Sequence, residues 1–139
     1  MAQIVGEVMT PAPVAVPPEA SLVHAAVQMR EHGIGDVLVA EDGRLVGLLT
    51  DRDIVVRGVA LGRDMAATTV REVCSADPVT VSPGDDAETA ERLLREHAIR
   101  RLPVVQDGRA VGAISLGDLA IERDSRSVLA DISAKPPNT

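Results

Sequence analysis

Two short runs hold residue types at a spacing that could do chemistry on a small ligand. They are Gly47-Leu48-Leu49-Thr50-Asp51-Arg52-Asp53-Ile54 and Gly112-Ala113-Ile114-Ser115-Leu116-Gly117-Asp118-Leu119. Each reads as a strand ending in a hydroxyl residue, followed by a helix whose third residue is an aspartate. Two readings fit. In one, Thr50 and Ser115 are helix N-caps, and Asp53 and Asp118 complete a capping-box-like arrangement. In the other, the free N–H groups and partial positive charge of a helix start attract a phosphate. The hydroxyl then donates to that phosphate. The aspartate, acceptor-only when ionised, takes hydrogen bonds from two vicinal ribose hydroxyls. The two roles can coexist.

These runs are copies of one another within a longer duplication. Glu7 to Val16 aligns without a gap to Glu72 to Val81, at a constant offset of 65 positions that carries Pro13 to Pro78. Arg30-Glu31-His32 returns as Arg95-Glu96-His97, Asp42-Gly43-Arg44 as Asp107-Gly108-Arg109, and Asp53 as Asp118. Register kept through helix, turn and strand marks an internal repeat.

Each copy reads as β-α-β-β-α, an α+β unit. In the first, Pro13 to Val16 is a short strand and Ala20 to His32 a helix with Leu22, Ala25, Ala26 and Met29 on one face. Asp36 to Ala40 and Arg44 to Thr50 are strands joined through the hairpin signal Glu41-Asp42-Gly43. A second helix is expected from Asp51 to Val59, with Ile54, Val55 and Val59 inward. The second copy predicts strand Val79–Val81, helix Ala87–His97, strands Leu102–Val105 and Arg109–Ser115, and helix Leu116–Ile121. The boundaries are then 5–60 for repeat one, 61–69 for a connector, 70–122 for repeat two, and 123–139 for a partly disordered tail. In that tail, Val128, Leu129 and Ile132 suggest one helical turn, and Lys135 to Thr139 suggests fraying. One such unit cannot cover both faces of its small sheet. Two are expected to pack with pseudo-two-fold symmetry and a related site on each side.

The copies differ where a phosphate would lie. Arg100 and Arg101 in the second copy correspond to Gly35 and Asp36 in the first, and Pro103 to Leu38. Arg100 and Arg101 read either as a solvated strand edge or as phosphate contacts, each charge-assisted bond contributing about 1.5–3 kcal/mol. An acid beside a phosphate is unfavourable, so the sites are expected to be unequal, with the Arg100–Arg101 copy the stronger. Other candidates carry less. His32 and His97 occupy one repeat position at a helix C-terminus, where a cation suits the dipole. With His24 they show no paired metal-ligand spacing, so no metal is expected. Cys74, aligned with Met9, reads as a small buried filler. No Ser-His-Asp or Cys-His arrangement is legible, and no enzyme is expected. Gly33 and Gly35 are not followed by the Lys-Ser/Thr of a phosphate loop.

Composition narrows the function classes. The 139 residues are 45% hydrophobic with no Phe, Tyr or Trp, and 14 basic against 21 acidic residues give a net charge of −7. Stacking of bases on aromatic rings is excluded, and an acidic surface argues against nucleic-acid and membrane partners. No apolar run approaches the roughly 18–20 residues that span a bilayer. One cysteine and no basic-then-apolar leader suit a cytoplasmic protein. The core must be aliphatic, each buried side chain contributing about 1.5–3 kcal/mol.

The order Pro-Val-x-Val, helix, then Ile99-Arg100-Arg101-Leu102-Pro103-Val104-Val105 and Gly-h-h-Ser/Thr-x-x-Asp resembles the cystathionine-β-synthase (CBS) domain. Two in tandem form a CBS pair, or Bateman module, and the resemblance runs from about Val5 to Ile121. Met29 to Gly35 with Leu49 to Val55 is particularly similar to small stand-alone actinobacterial members. The resemblance implies a regulatory module that binds adenosine-containing ligands (AMP, ADP, ATP, sometimes S-adenosylmethionine), with no obligatory cofactor. It implies Asp53 and Asp118 on ribose, Thr50 and Ser115 on phosphate or ribose, and Arg100 and Arg101 on phosphates. Val14 and Val79 would flank the base, partly through backbone groups. It also implies a homodimer. Apolar helix positions Val23, Val27, Leu93 and Leu94, expected to be exposed, would serve that interface, and output would pass to an unidentified effector protein. The alternative is a dimeric protein-interaction or adaptor module that binds no nucleotide.

Overall fold

The computed structural model describes residues 3–123, with side-chain surroundings through residue 120. The expectations for Val128, Leu129, Ile132 and the final residues lie outside that range. In chain order the elements are α1 (Val5–Val8), β1 (Thr10–Pro11), β2 (Ala15–Val16), α2 (Leu22–His32), β3 (Asp36–Glu41), β4 (Arg44–Thr50) and α3 (Asp51–Asp53). A π-helical turn Ile54–Gly58 and a 3-10 turn Val59–Leu61 come next, then α4 (Val70–Val73), β5 (Ser75–Ala76), α5 (Ala87–Glu96), β6 (Arg101–Gln106), β7 (Arg109–Ser115) and α6 (Leu116–Arg123). The fold is α+β, and elements recur at the 65-residue offset read from the sequence.

Two compact units form, and they cut across the linear repeats. Among the described residues, one spans Val14–Pro78; the other combines those before Val14 with those from Val79 to Arg123. In the first unit, β2 pairs in parallel with β3, β3 pairs antiparallel with β4, and β4 antiparallel with β5. The face of α2 carrying Leu22, Ala25 and Met29 packs on Val37, Val39 and Leu49, and α4 adds Val70 and Val73. In the second unit β6 pairs antiparallel with β7, β7 antiparallel with β1, and Val81 bridges Val104 in parallel. Its core joins Val81, Ala90, Leu94, Leu102, Val104, Ile114 and Leu119 with Val5 from α1.

The short helices α1 and α4 were not legible as elements, yet each closes a core. The Glu7 carboxylate accepts from the Ile4 N–H at 3.0 Å, and the Glu72 carboxylate from the Thr69 N–H at 2.7 Å, fixing the helix starts. The Thr69 N–H and hydroxyl hold the Glu72 carboxyl below its ordinary range. Backbone bonds then dock α1 onto its unit (Val5 N–H to the Asp85 carbonyl, Gly6 to Pro83) and α4 onto the other (Val70 to Ala20, Arg71 to Pro18).

Several local expectations are corrected. The helix expected from Asp51 to Val59 breaks into three kinds of turn, and Val55 and Val59 are 57% and 59% exposed. The wider π turn changes the angular step between residues, so the face extrapolated at α-helical spacing is lost, and Gly58 is the buried residue there. On α2, Ala26 lies on the exposed flank of the Leu22-Ala25-Met29 stripe. On α5, Leu94 is 3% exposed, one turn after buried Ala90, and half-buried Leu93 packs against the same core. Only Val23 and Val27 of the four expected interface residues are exposed apolar side chains.

The segment expected as strand Val79–Val81 keeps only the bridge at Val81. In the first unit the Leu38 N–H donates to the Val14 carbonyl at 3.0 Å. Pro103, at the matching place, has no N–H to donate.

Candidate functional site

In each unit the strand-to-helix junction closes by the same reciprocal pair of hydrogen bonds. The Asp53 N–H donates to Thr50 Oγ1 at 3.0 Å, and the Thr50 N–H donates to Asp53 Oδ2 at 3.0 Å. The Asp118 N–H donates to Ser115 Oγ at 3.0 Å, and the Ser115 N–H to Asp118 Oδ2 at 2.9 Å. These are capping boxes, and they show the local role of the motif directly. They use one oxygen of each carboxylate and one acceptor position of each hydroxyl. Oδ1 of each aspartate and each hydroxyl proton remain, and among the described residues no protein group engages them. All four side chains are half-buried. Capping thus orients a residual acceptor and donor on one rigid turn, a geometry suited to a diol and an anionic oxygen.

Strand register sets what stands beside each box. β3 places Asp36 opposite Thr50, and β6 places Arg101 opposite Ser115. The Asp51 N–H donates to the Gly35 carbonyl at 2.9 Å, and the Leu116 N–H to the Arg100 carbonyl at 2.9 Å. A side chain at Gly35 would begin 3.1 Å from the Asp51 carboxylate, so that carboxylate lies over the glycine. The first unit therefore gathers Asp36, Asp51 and Asp53 at its junction. The second gathers Arg100, Arg101 and Asp118, with Arg100 exposed and Arg101 half-buried.

The eight residues singled out from sequence divide between the units. Thr50, Asp53 and Val14 belong to one, and Ser115, Asp118, Arg100, Arg101 and Val79 to the other. Val14 and Val79 are half-buried, each packed against its own unit's core.

Cys74 is half-buried against Gly47, and burial, with the Asp53 charge adding to it, pushes its thiol up. That opposes thiolate formation. Sequence reasoning placed Gly47 and Gly112 at the head of the two runs but not their packing role, which is to let β5 and β1 cross β4 and β7 closely. Their recurrence at one offset was the available signal. Among the described residues no three or more His, Cys, Asp or Glu gather as a metal site, and no helix is long and apolar enough to cross a membrane.

The CBS-domain family pattern matches residues 5–58 and 70–124, and the chain belongs to that family as a tandem CBS pair. It is 41% identical over 133 residues to the CBS domain-containing protein YhcV of Bacillus subtilis, covering 93% of this chain and 94% of that protein. Hypoxic response protein 1 of Mycobacterium tuberculosis is 34% identical over 115 residues, covering 82% of this chain and 80% of that protein. The crystal structure of Hypoxic Response Protein I with two coordinated zinc ions superposes with a TM-score of 0.80 at 34% identity, covering 85% of this chain and 97% of that one. The CBS domain pair of MJ0100, solved with 5′-methylthioadenosine and S-adenosyl-L-methionine, shares the fold at a TM-score of 0.81 and 21% identity, covering 91% of this chain and all of that one.

Proposed function

We propose that this CBS pair is a non-enzymatic regulatory module that binds adenosine-containing ligands such as AMP, ADP or ATP, and acts in the cytoplasm through an effector protein. The observation that carries this reading is the duplicated box: two half-buried aspartates, each with one oxygen fixed on the backbone and the other, among the described residues, unengaged beside a hydroxyl. Asp53 and Asp118 hold ribose, Thr50 and Ser115 reach phosphate or ribose, and Val14 and Val79 flank the base. Arg100 and Arg101 supply cations to the phosphates. A fold relative solved with two adenosine compounds supports the ligand class. The charge contrast between the junctions makes the Ser115–Asp118 site the stronger for an anionic ligand.

A ligand that binds only the folded state raises stability by RT ln(1 + [L]/Kd), about 2.7 kcal/mol at one hundred times Kd. Millimolar AMP, ADP or ATP is therefore expected to raise the melting temperature. Asp118→Asn keeps an oxygen for the Ser115 N–H and replaces the second oxygen by an amide. Its ligand-free melting temperature is expected to change little, while most of the nucleotide-induced rise disappears. No shift with any of the three nucleotides or S-adenosylmethionine overturns the reading.

A dimeric interaction module is favoured by a separate observation. Val23, Val27, Val55, Val56 and Val59 are exposed in the first unit, and concentrated apolar surface marks interfaces. Two copies of the chain are expected to associate, so light scattering at micromolar concentration should give twice the mass of one chain. A single-chain mass refutes this association.

A further inference from the structure

We propose that residues 3–11 form an exchangeable arm, and that the face of the second unit they cover accepts the same arm from a second copy of this chain. This exchange needs neither a ligand nor the exposed valine face. The arm has no chain continuity with the surface it covers: the whole of Val14–Pro78 lies between Pro13 and Val79. It is nevertheless seated there along its length. The Ala87 N–H donates to the Gln3 carbonyl, the Val5 N–H to the Asp85 carbonyl and the Gly6 N–H to the Pro83 carbonyl, each at 2.8 Å. Thr10 and Pro11 pair with Ala113 and Gly112, and Val5 is fully buried. An arm that leaves uncovers the core around Val5 and an edge of β7, and the arm of another copy fits both equally well.

The hinge favours release. Ala12 sits in the left-handed region at φ 52°, which crowds its Cβ against the following carbonyl oxygen. It also precedes Pro13, whose ring drives the residue before it to extended backbone. Both preferences are met when Ala12 opens to an extended conformation, and Pro11 and Pro13 keep the opened segment stiff. The matching residue before Pro78 is Asp77, also at φ 52°, a type that visits this region more readily. Its segment, with α4 and β5, covers the unit to which the chain already joins it, so leaving relieves little. Two chains that open together recover every docking contact from each other and lose the strain at both hinges. That is the arrangement by which identical elements are swapped between protomers. β1 meets β7 at Gly112 and Ala113, just before Ser115, so in the exchanged pair each second-repeat box stands on a strand edged by the other copy's arm.

The bridge between Ile4 and Asp86 supplies the test. The bonds on either side of it, Val5 to Asp85 and Ala87 to Gln3, make it a non-hydrogen-bonded antiparallel pair, whose close Cα atoms suit a disulfide. Both residues are exposed. Full-length Ile4→Cys and Asp86→Cys chains, each also carrying Cys74→Ser, are mixed at high concentration, warmed to near the unfolding midpoint, cooled and oxidised. Exchange is expected to give a disulfide joining one chain of each kind, read as a doubled mass on a non-reducing gel. Ala12→Gly in both chains removes the hinge strain and leaves every surface in place, so it is expected to lower that yield about tenfold. A single chain carrying both Ile4→Cys and Asp86→Cys is expected to close an intrachain bond, which shows the arm seated. No mixed disulfide overturns the exchange. So does an equal yield in the Ala12→Gly chains, because collision and association through the valines do not depend on the hinge. Absence of the intrachain bond in a folded chain overturns the seating of the arm and the proposal with it. Should the cysteine chains fail to fold, size exclusion of the unsubstituted chain after the same warming decides. A two-chain species that persists on dilution and is about tenfold scarcer in Ala12→Gly supports exchange; its absence, or indifference to Ala12→Gly, refutes it.

Discussion

Gly112→Ala is expected to lower stability by about 3 kcal/mol, the upper part of the range for overpacking a filled interior, and the melting temperature by roughly 10 °C. A Cβ at position 112 would lie 2.5 Å from Met9 Sδ and 2.9 Å from the Thr10 carbonyl oxygen. The methionine can turn away; the carbonyl belongs to β1, which is paired to β7 at this residue. Relief therefore requires β1 to separate from β7, and with it α1, whose Val5 is fully buried in the core. Gly47→Ala meets the same geometry from Cys74 Sγ and the Ser75 carbonyl oxygen, both at 2.9 Å. Met9→Ala combined with Gly112→Ala separates the two contributions: it removes the flexible neighbour and leaves the carbonyl, so only a minor part of the loss should return. Thermal or urea unfolding of the single and double variants measures this. A change under 0.5 kcal/mol in Gly112→Ala would show that β1 is not held against β7 as closely as described.

Repetition made most of this fold legible. Each hairpin was read from Asp42-Gly43 or Asp107-Gly108, where positive φ angles at both residues make the tight turn that joins the long strands. What escaped was whatever the three-dimensional partner decides. Val5 and Val70 look alike in sequence, and nothing local says that each completes the core formed by the other repeat. Val55 and Val59 were misplaced because one period was extrapolated through a π turn. Gly33 ends α2 at a φ of 64°, whereas Ala98 takes 52° at the same repeat position. A glycine-based C-cap signal finds the first and not the second. At the site, Thr50, Asp53, Ser115 and Asp118 were found because N-caps and helix-start acids have a sequence signature.

Leu49→Ala and Ile114→Ala should each lower stability by about 2–5 kcal/mol, and each should shift one and the same unfolding transition. Both side chains are fully buried, at equivalent positions in two separate aliphatic clusters, and the magnitude is that of truncating a large core side chain with incomplete collapse around it. The single transition follows from connectivity. The unit containing α5, β6, β7 and α6 also needs α1 and β1, and the chain between those pieces is the whole of Val14–Pro78. If that intervening unit unfolds alone, it becomes a loop of about 65 residues tethering α1 to its site. Closing such a loop costs about 4 kcal/mol of chain entropy. That penalty falls on a core already small for its task, with no aromatic side chain in it, so loss of either cluster weakens the other. Calorimetry of the two variants is the measurement. A second, unshifted transition in either one would show that the units unfold independently, and that threading α1 into the far repeat adds nothing to cooperativity.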